Sequence, residues 1–258
     1  MKMKAITLTS LLMLSIPWVT SASSPAWRNL APGLQYTALS PFIFYHSKKI
    51  HAFRIDLKRY PLMLVTAHQQ QQSSFFVTQA APLWEALVAI NGGFFTPRFQ
   101  PLGLRIQNGK ILSPLKKTPW WGIFIMQNHR AQIVGNPHYR YSPHIRIAIQ
   151  AGPRLVIDGR IPSLKGGLAA RSALCLTKKG DLLILITDNL TLTTREFATI
   201  LQSPEKQGGL ACYNALNLDG GTSSQLYAAV RSWRLAIDSV RPVADMIVVT
   251  SPTPQKTR

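Results

Sequence analysis

The sequence predicts an α+β fold, rich in β structure and built as a single compact domain of mixed sheets with several hairpins and a few helices. Three observations predict it. Short runs of alternating apolar and polar residues recur along the chain, separated by turn dipeptides such as Asn108-Gly109 and Asp158-Gly159. Stretches of helical periodicity are few, and no regular βαβ alternation of the kind that builds a doubly wound sheet is present. The chain has 258 residues, of which 46% are hydrophobic, which suits one large domain with a substantial core and excludes a disordered chain.

The N-terminus reads as a secretory signal over residues 1–22. Lys2 and Lys4 supply a positive start, residues 5–19 an apolar run, and Thr20-Ser21-Ala22 small residues for cleavage. The run is short for a membrane span and contains Pro17, and no later stretch is long and apolar enough to span. The mature protein is thus expected in the periplasm or outside the cell, without a transmembrane segment. Residues 23–33 read as a lead-in loop, 34–250 as the domain, and 251–258 as a loose basic tail.

Within the domain, 34–67 alternates and favours strands, at 42–45, 51–55 and 62–66. Residues 69–74 form a polar linker, and 75–86 a short helix interrupted by Pro82. A buried strand at 87–90 ends in Asn91-Gly92-Gly93. Hairpins are expected around Gln107-Asn108-Gly109, between 123–126 and 131–134, and at Asp158-Gly159. A strand at 145–150, a hairpin of 172–176 with 182–186, and strands at 215–218 and 246–249 complete the sheets. Residues 193–201 read as a helix, because Thr193 and Glu196 form the S/T-x-x-E pattern of a capping box.

Charge narrows the function. Lys and Arg total 29 against 10 Asp and Glu, a net charge of +19, which creates a field that attracts anions. For an exported protein the matching partners are anionic glycans and sugar phosphates rather than nucleic acid. Cys175 and Cys212 are either paired or two buried thiols; with no C-x-x-C they suggest neither zinc nor redox chemistry. The six His are scattered without metal-ligand spacing. No cofactor is expected, although a carboxylate-bound divalent cation stays open.

With so few acids, each can be weighed. Asp158 and Asp181 sit in turns, and Asp245 precedes the last strand with either role open. Asp188 follows an apolar strand, a common placement for a catalytic carboxylate. Glu196 has the capping box as its alternative role. Asp219 is the strongest candidate, in Asn217-Leu218-Asp219-Gly220-Gly221-Thr222-Ser223-Ser224 directly after a short strand. Gly220 and Gly221 let the backbone bend sharply and approach a ligand, and free amides there can form an anion nest. Asn91-Gly92-Gly93 repeats the arrangement. No P-loop, dinucleotide fingerprint or nucleophile elbow is present.

These segments, in this order, resemble the phosphodiester glycosidase family. The matching stretches are 89–95, 101–104 with 108–110, 150–156, 170–173 around Arg171, Asp188 with 196–198, and 217–224. Two positions depart from the family pattern: Cys175 and Asn189 stand where Gly is frequent. The resemblance implies cleavage of a sugar from a sugar-1-phosphodiester, here in the cell envelope. It implies Asp219 as the carboxylate at the anomeric carbon, with Asp188 or Glu196 as partner acid or base. Arg171 would hold the phosphate. Asn91, Gly92, Gly93, Asn217, Gly220, Gly221, Thr222 and Ser223 would orient the substrate. The alternative is a non-catalytic binder of anionic envelope polysaccharide.

Overall fold

The structure is a computed structural model that describes residues 24–41 and 47–252. The expected signal segment, the strand expected at 42–45 and most of the expected tail lie outside the described residues. The chain opens with strands β1 (Arg28–Ala31), β2 (Leu34–Leu39), β3 (Lys49–Ile55) and β4 (Leu62–Thr66). The loop expected over 23–33 therefore carries a strand, which pairs with β2 around the Pro32-Gly33 turn.

One α-helical turn, α1 (Val77–Ala80), runs straight into a 3-10 turn at Ala81–Trp84. Pro82 lacks the N–H that a continuing α-helix would need, so the longer helix expected over 75–86 is divided. Then follow β5 (Val88–Asn91), the hairpin β6 (Arg105–Gln107) with β7 (Lys110–Ser113), and the hairpin β8 (Gly122–Gln127) with β9 (Arg130–Gly135). Asn108 and Gly109 both have positive φ, 49° and 76°, the conformation a two-residue hairpin turn requires. Next come β10 (Ile145–Ala151), β11 (Arg154–Val156), β12 (Ser172–Thr177) and β13 (Leu182–Asp188). The chain ends with α2 (Thr194–Gln202), β14 (Cys212–Asn217), the hairpin β15 (Leu226–Val230) with β16 (Trp233–Ile237), and β17 (Asp245–Val249).

The strands make three antiparallel sheets. A seven-stranded sheet has the order β1-β2-β3-β13-β12-β14-β11; the two five-stranded sheets have the orders β7-β6-β10-β8-β9 and β16-β15-β5-β17-β4. All three turn one face onto a common core that includes Phe53, Ile90, Phe124, Ile149, Leu174, Ile184, Leu216 and Ile247. The other face of the seven-stranded sheet is covered by α2, through Phe197, Ala198 and Leu201. Residues 182–186 are apolar at every position because both of their faces are buried. This is the β-rich α+β single domain that the pattern predicts.

The two cysteines are joined. Cys175 on β12 and Cys212 on β14 form a disulfide with Cα atoms 5.7 Å apart, settling the choice left open by the sequence. The capping box is also in place: Thr193 Oγ1 accepts from the Glu196 N–H, and Glu196 Oε2 accepts from the Thr193 N–H at 2.8 Å.

Candidate active site

The ends of β5, β12 and β14 meet where the first sheet joins the third. The Asn91 side chain sits at that junction, fully buried, and all its bonding capacity is used. Its Oδ1 accepts from Ser172 Oγ at 2.7 Å and from the Gln225 N–H at 3.1 Å. Its Nδ2 donates to the carbonyl oxygens of Asp219, at 2.8 Å, and Gly92, at 3.3 Å. The Asp219 N–H in turn donates to the Gly92 carbonyl at 3.1 Å. Asn91 is thus placed as the clamp that fixes the main chain of Asp219, and its amide is spent on the protein itself.

The Asp219 carboxyl accepts from the Gly220 N–H at 3.0 Å and bonds Ser223. Burial pushes it above the ordinary carboxylate range; Asp245 adds to the rise, while Ser223, the Gly220 N–H and the Arg241 charge oppose it. Arg241 is exposed, stacks over the Phe95 ring at 5.1 Å, and has its carbonyl held by Gln225 Nε2 at 2.7 Å. Because Gln225 also bonds Asn91, a single chain of buried amides runs from the Asp219 main chain to the Arg241 loop.

Gly92 and Gly93 serve close packing. A Cβ on Gly92 would lie 1.7 Å from Asp245 Oδ1, and one on Gly93 would lie 2.5 Å from an Arg105 nitrogen. Asp245 and Arg105 form an ion pair at 2.8 Å with both side chains fully buried. The Gly93 N–H donates to Asp245 Oδ1, and the Arg105 Nη atoms donate to four carbonyls, of Phe94, Leu102, Leu104 and Gln150. The turn after Asp219 is packed just as closely: the Gly221 N–H donates to the Ala170 carbonyl at 2.8 Å, and a Cβ on Gly220 would meet that same oxygen at 2.8 Å. The Thr222 side chain is exposed, whereas Ser223 is buried.

The remaining expected residues lie on three separate arrangements. Arg171 adjoins the turn through its backbone, but strand alternation directs its side chain to the α2 face. There Nε donates to the Leu192 carbonyl at 2.8 Å and Nη2 to the Gly167 carbonyl. Desolvation lowers its pKa, and among the described residues no carboxylate is within ion-pair range of it. Asn217 faces the same side, donating to the carbonyls of Gly152 and Leu218 while its Oδ1 is buried without a partner. Glu196 is committed to the helix cap.

Asp188 ends β13 on the inner face, with His51 Nε2 3.4 Å from its Oδ2 and Tyr36 Oη 2.7 Å from His51 Nδ1. Burial lowers the His51 pKa despite the pull of Asp188, so the ring is neutral at pH 7. The consistent tautomer places the proton on Nε2, donating to Asp188, with Nδ1 accepting from Tyr36. Across the sheet rim, Thr187 pairs with Arg171 and Gly221 with Ala170. Asp188 and the Asp219 turn are therefore two strand spacings apart, roughly 10 Å between backbones.

Sequence reasoning did not single out Tyr36, His51, Arg105, Gln225 or Arg241. Only Asp245 carried a signal, as an acid at a strand start. Among the described residues no cluster of three or more His, Cys, Asp or Glu could hold a metal ion, and no helix is long and apolar enough to cross a membrane.

Comparison with known proteins agrees with this architecture. The catalytic domain of zebrafish N-acetylglucosamine-1-phosphodiester alpha-N-acetylglucosaminidase, in a form auto-inhibited by its pro-peptide, superposes with a TM-score of 0.65 at 17% identity, covering 89% of this chain and 87% of that one. A hypothetical protein from Synechocystis gives a TM-score of 0.60 at 17% identity, covering 88% and 64%. The Escherichia coli (strain K12) protein YigE is 28% identical over 116 residues, 40% of this chain and 46% of its own length, so this chain spans under half of that relative. The sequence profile of the phosphodiester glycosidases matches residues 85–250, the stretch that supplies Asn91, Arg171, Asp188, Asp219 and Asp245. This chain belongs to the phosphodiester glycosidase family.

Proposed function

We propose that the protein hydrolyses a sugar-1-phosphodiester in the cell envelope, releasing the sugar and leaving a phosphomonoester, with the Asp219 turn as its catalytic centre. The observation that carries this reading is the Asp219 carboxyl: desolvated, fixed through its main chain by Asn91, and within the field of an exposed arginine, Arg241. Phosphate is a good leaving group, so the demanding step is charge development at the anomeric carbon. A carboxylate with little water around it stabilises or attacks that centre strongly. The bond from the anomeric carbon to oxygen breaks, its electron pair leaves with the phosphate, and water supplies the new hydroxyl.

Of the two partner acids, Asp188 fits better than Glu196. It is partly exposed and held in line by neutral His51, whereas Glu196 is engaged in the helix cap. Arg241 is the group we assign to the substrate phosphate. Arg171 contributes its unpaired positive charge while holding the 167–171 segment as a wall, Thr222 orients the sugar, and Ser223 holds the Asp219 carboxyl. Secretion is supported by the signal-like N-terminus, and an anionic substrate by the net charge of +19.

The test is product analysis with the purified protein and a sugar-1-phosphodiester. Free reducing sugar from the wild type and none from Asp219→Ala is the expected result. Sugar phosphate plus free alcohol would reassign the cleaved bond. Salt-sensitive binding of anionic polysaccharide without turnover would establish the non-catalytic binder instead.

A further inference from the structure

At the other end of the seven-stranded sheet lies an open cleft of about 510 Å³, between that sheet and β9. Tyr213 lines the cleft at the start of β14, six residues before Asp219, roughly 20 Å away at the rise of an extended strand, while Arg154 lies nearer, paired with Leu216. Arg154, His138 and Lys178 bring basic groups to the cleft, Gln132 and Asn214 bring amides, and Tyr213 brings an aromatic ring. Asp158 is the sole acid of its lining, and its Oδ1 already accepts from Asn214 Nδ2 at 3.2 Å.

Arg154 is the distinctive group. Its Nε is buried without a hydrogen-bond partner, and no ion pair involves it among the described residues. Room for it is made by two glycines on the neighbouring sheet. A Cβ on Gly122 would lie 2.6 Å from Arg154 Cγ, and one on Gly135 would lie 3.4 Å from Nη1. A guanidinium whose donors include a buried, unpartnered Nε–H, and whose charge meets only the field of Asp158, is an unfavourable thing to build into a wall unless an anion completes it. The planar fork of those donors matches phosphate oxygens. The volume suits a ligand of mono- or disaccharide size, and the Tyr213 ring offers a face for a sugar.

We infer that this cleft is a second binding site, separate from the Asp219 turn, for a phosphate-bearing saccharide whose phosphate is received by Arg154 and Lys178. On an extended anionic glycan, such a site would hold one unit while another is presented elsewhere on the molecule. Because it is read by binding, it stands or falls independently of the hydrolase reading.

The experiment follows the arginine Nε–Hε resonances of the full ¹⁵N-labelled chain during titration with glucose 1-phosphate, inorganic phosphate and glucose. Arg154→Met assigns the signal. The expected result is a shift of the Arg154 signal by glucose 1-phosphate, with binding about tenfold or more weaker in Arg154→Met and measurably weaker in Lys178→Ala. Lys178 sits on an exposed hairpin turn, so its variant keeps the test open if Arg154→Met misfolds. Asp219→Asn should leave binding at the cleft unchanged. An unmoved Arg154 signal, shifts confined to the Asp219 turn, equal binding by both basic-residue variants and wild type, or inorganic phosphate binding as tightly as glucose 1-phosphate would each overturn the inference.

Discussion

Asp219 places two opposed demands on one carboxyl group. Its pKa is raised chiefly by burial, so between the unfolded value and the raised one the folded protein binds more protons than the unfolded chain. The stability of the neutral form is complete below the ordinary carboxylate value and is lost as pH rises through the raised one. Asp219→Asn, which keeps the shape and removes the charge, is therefore expected to raise the denaturant midpoint at pH 7 while lowering turnover by about 10²–10⁴-fold. Urea unfolding of both proteins at pH 4 and pH 7 checks it: the gain should shrink at the lower pH, and no gain at pH 7 would mean the carboxylate is not strained. Arg241→Met tests the phosphate contact and should raise KM about tenfold with a smaller change in kcat. The tight turn at Asp219 was legible from its own segment, a strand end followed by two glycines. Arg241 was not, since nothing local distinguishes one arginine among so many; its place depends on Gln225 and Asn91, residues far from it in sequence.

Elements were legible where the signal was local. The Asn108-Gly109 turn, the Thr193–Glu196 cap and the apolar 182–186 strand each carry their own chemistry, and each folds as its sequence reads. The β15–β16 hairpin carries none: its turn is Arg231-Ser232, with φ of 55° at Arg231, and no Gly or Asn marks it. Strand order is the least local property of all, because β3 pairs with β13 across more than a hundred residues. The same limit held for the cysteines, whose pairing needs β12 and β14 to be neighbours. That disulfide closes a separation of 37 residues, for which loop-closure entropy gives about 4 kcal/mol. Cys175→Ala/Cys212→Ala is expected to lose about that much in chemical denaturation, and reduction of the wild type should lose the same amount. A loss well under 1 kcal/mol would place the stability of this strand pair in its packing alone.

At the scale of the whole molecule, the Arg105–Asp245 pair joins the second sheet to the third and supports the glycines on which the Asp219 main chain rests. The two residues are 140 positions apart, so no local pattern could have announced them. Both side chains are sealed from water, and removing one partner leaves an unpaired buried charge. Arg105→Leu alone is accordingly expected to cost about 3–5 kcal/mol. Arg105→Leu/Asp245→Asn leaves no charge there and retains a carbonyl oxygen for the Gly93 N–H, so stability should recover in part, the carbonyls that Arg105 served keeping the rest of the loss. The pair also reaches the carboxyl we assign to catalysis, because Asp245 helps raise the Asp219 pKa. With that negative charge gone, the Asp219 carboxyl should ionise at lower pH, and the acid limb of the pH–rate profile should move downward in the double variant. A recovered midpoint with an unmoved acid limb would confine the pair to scaffolding. A shifted limb would show that the contact holding two sheets together also sets the proton affinity of the group between them.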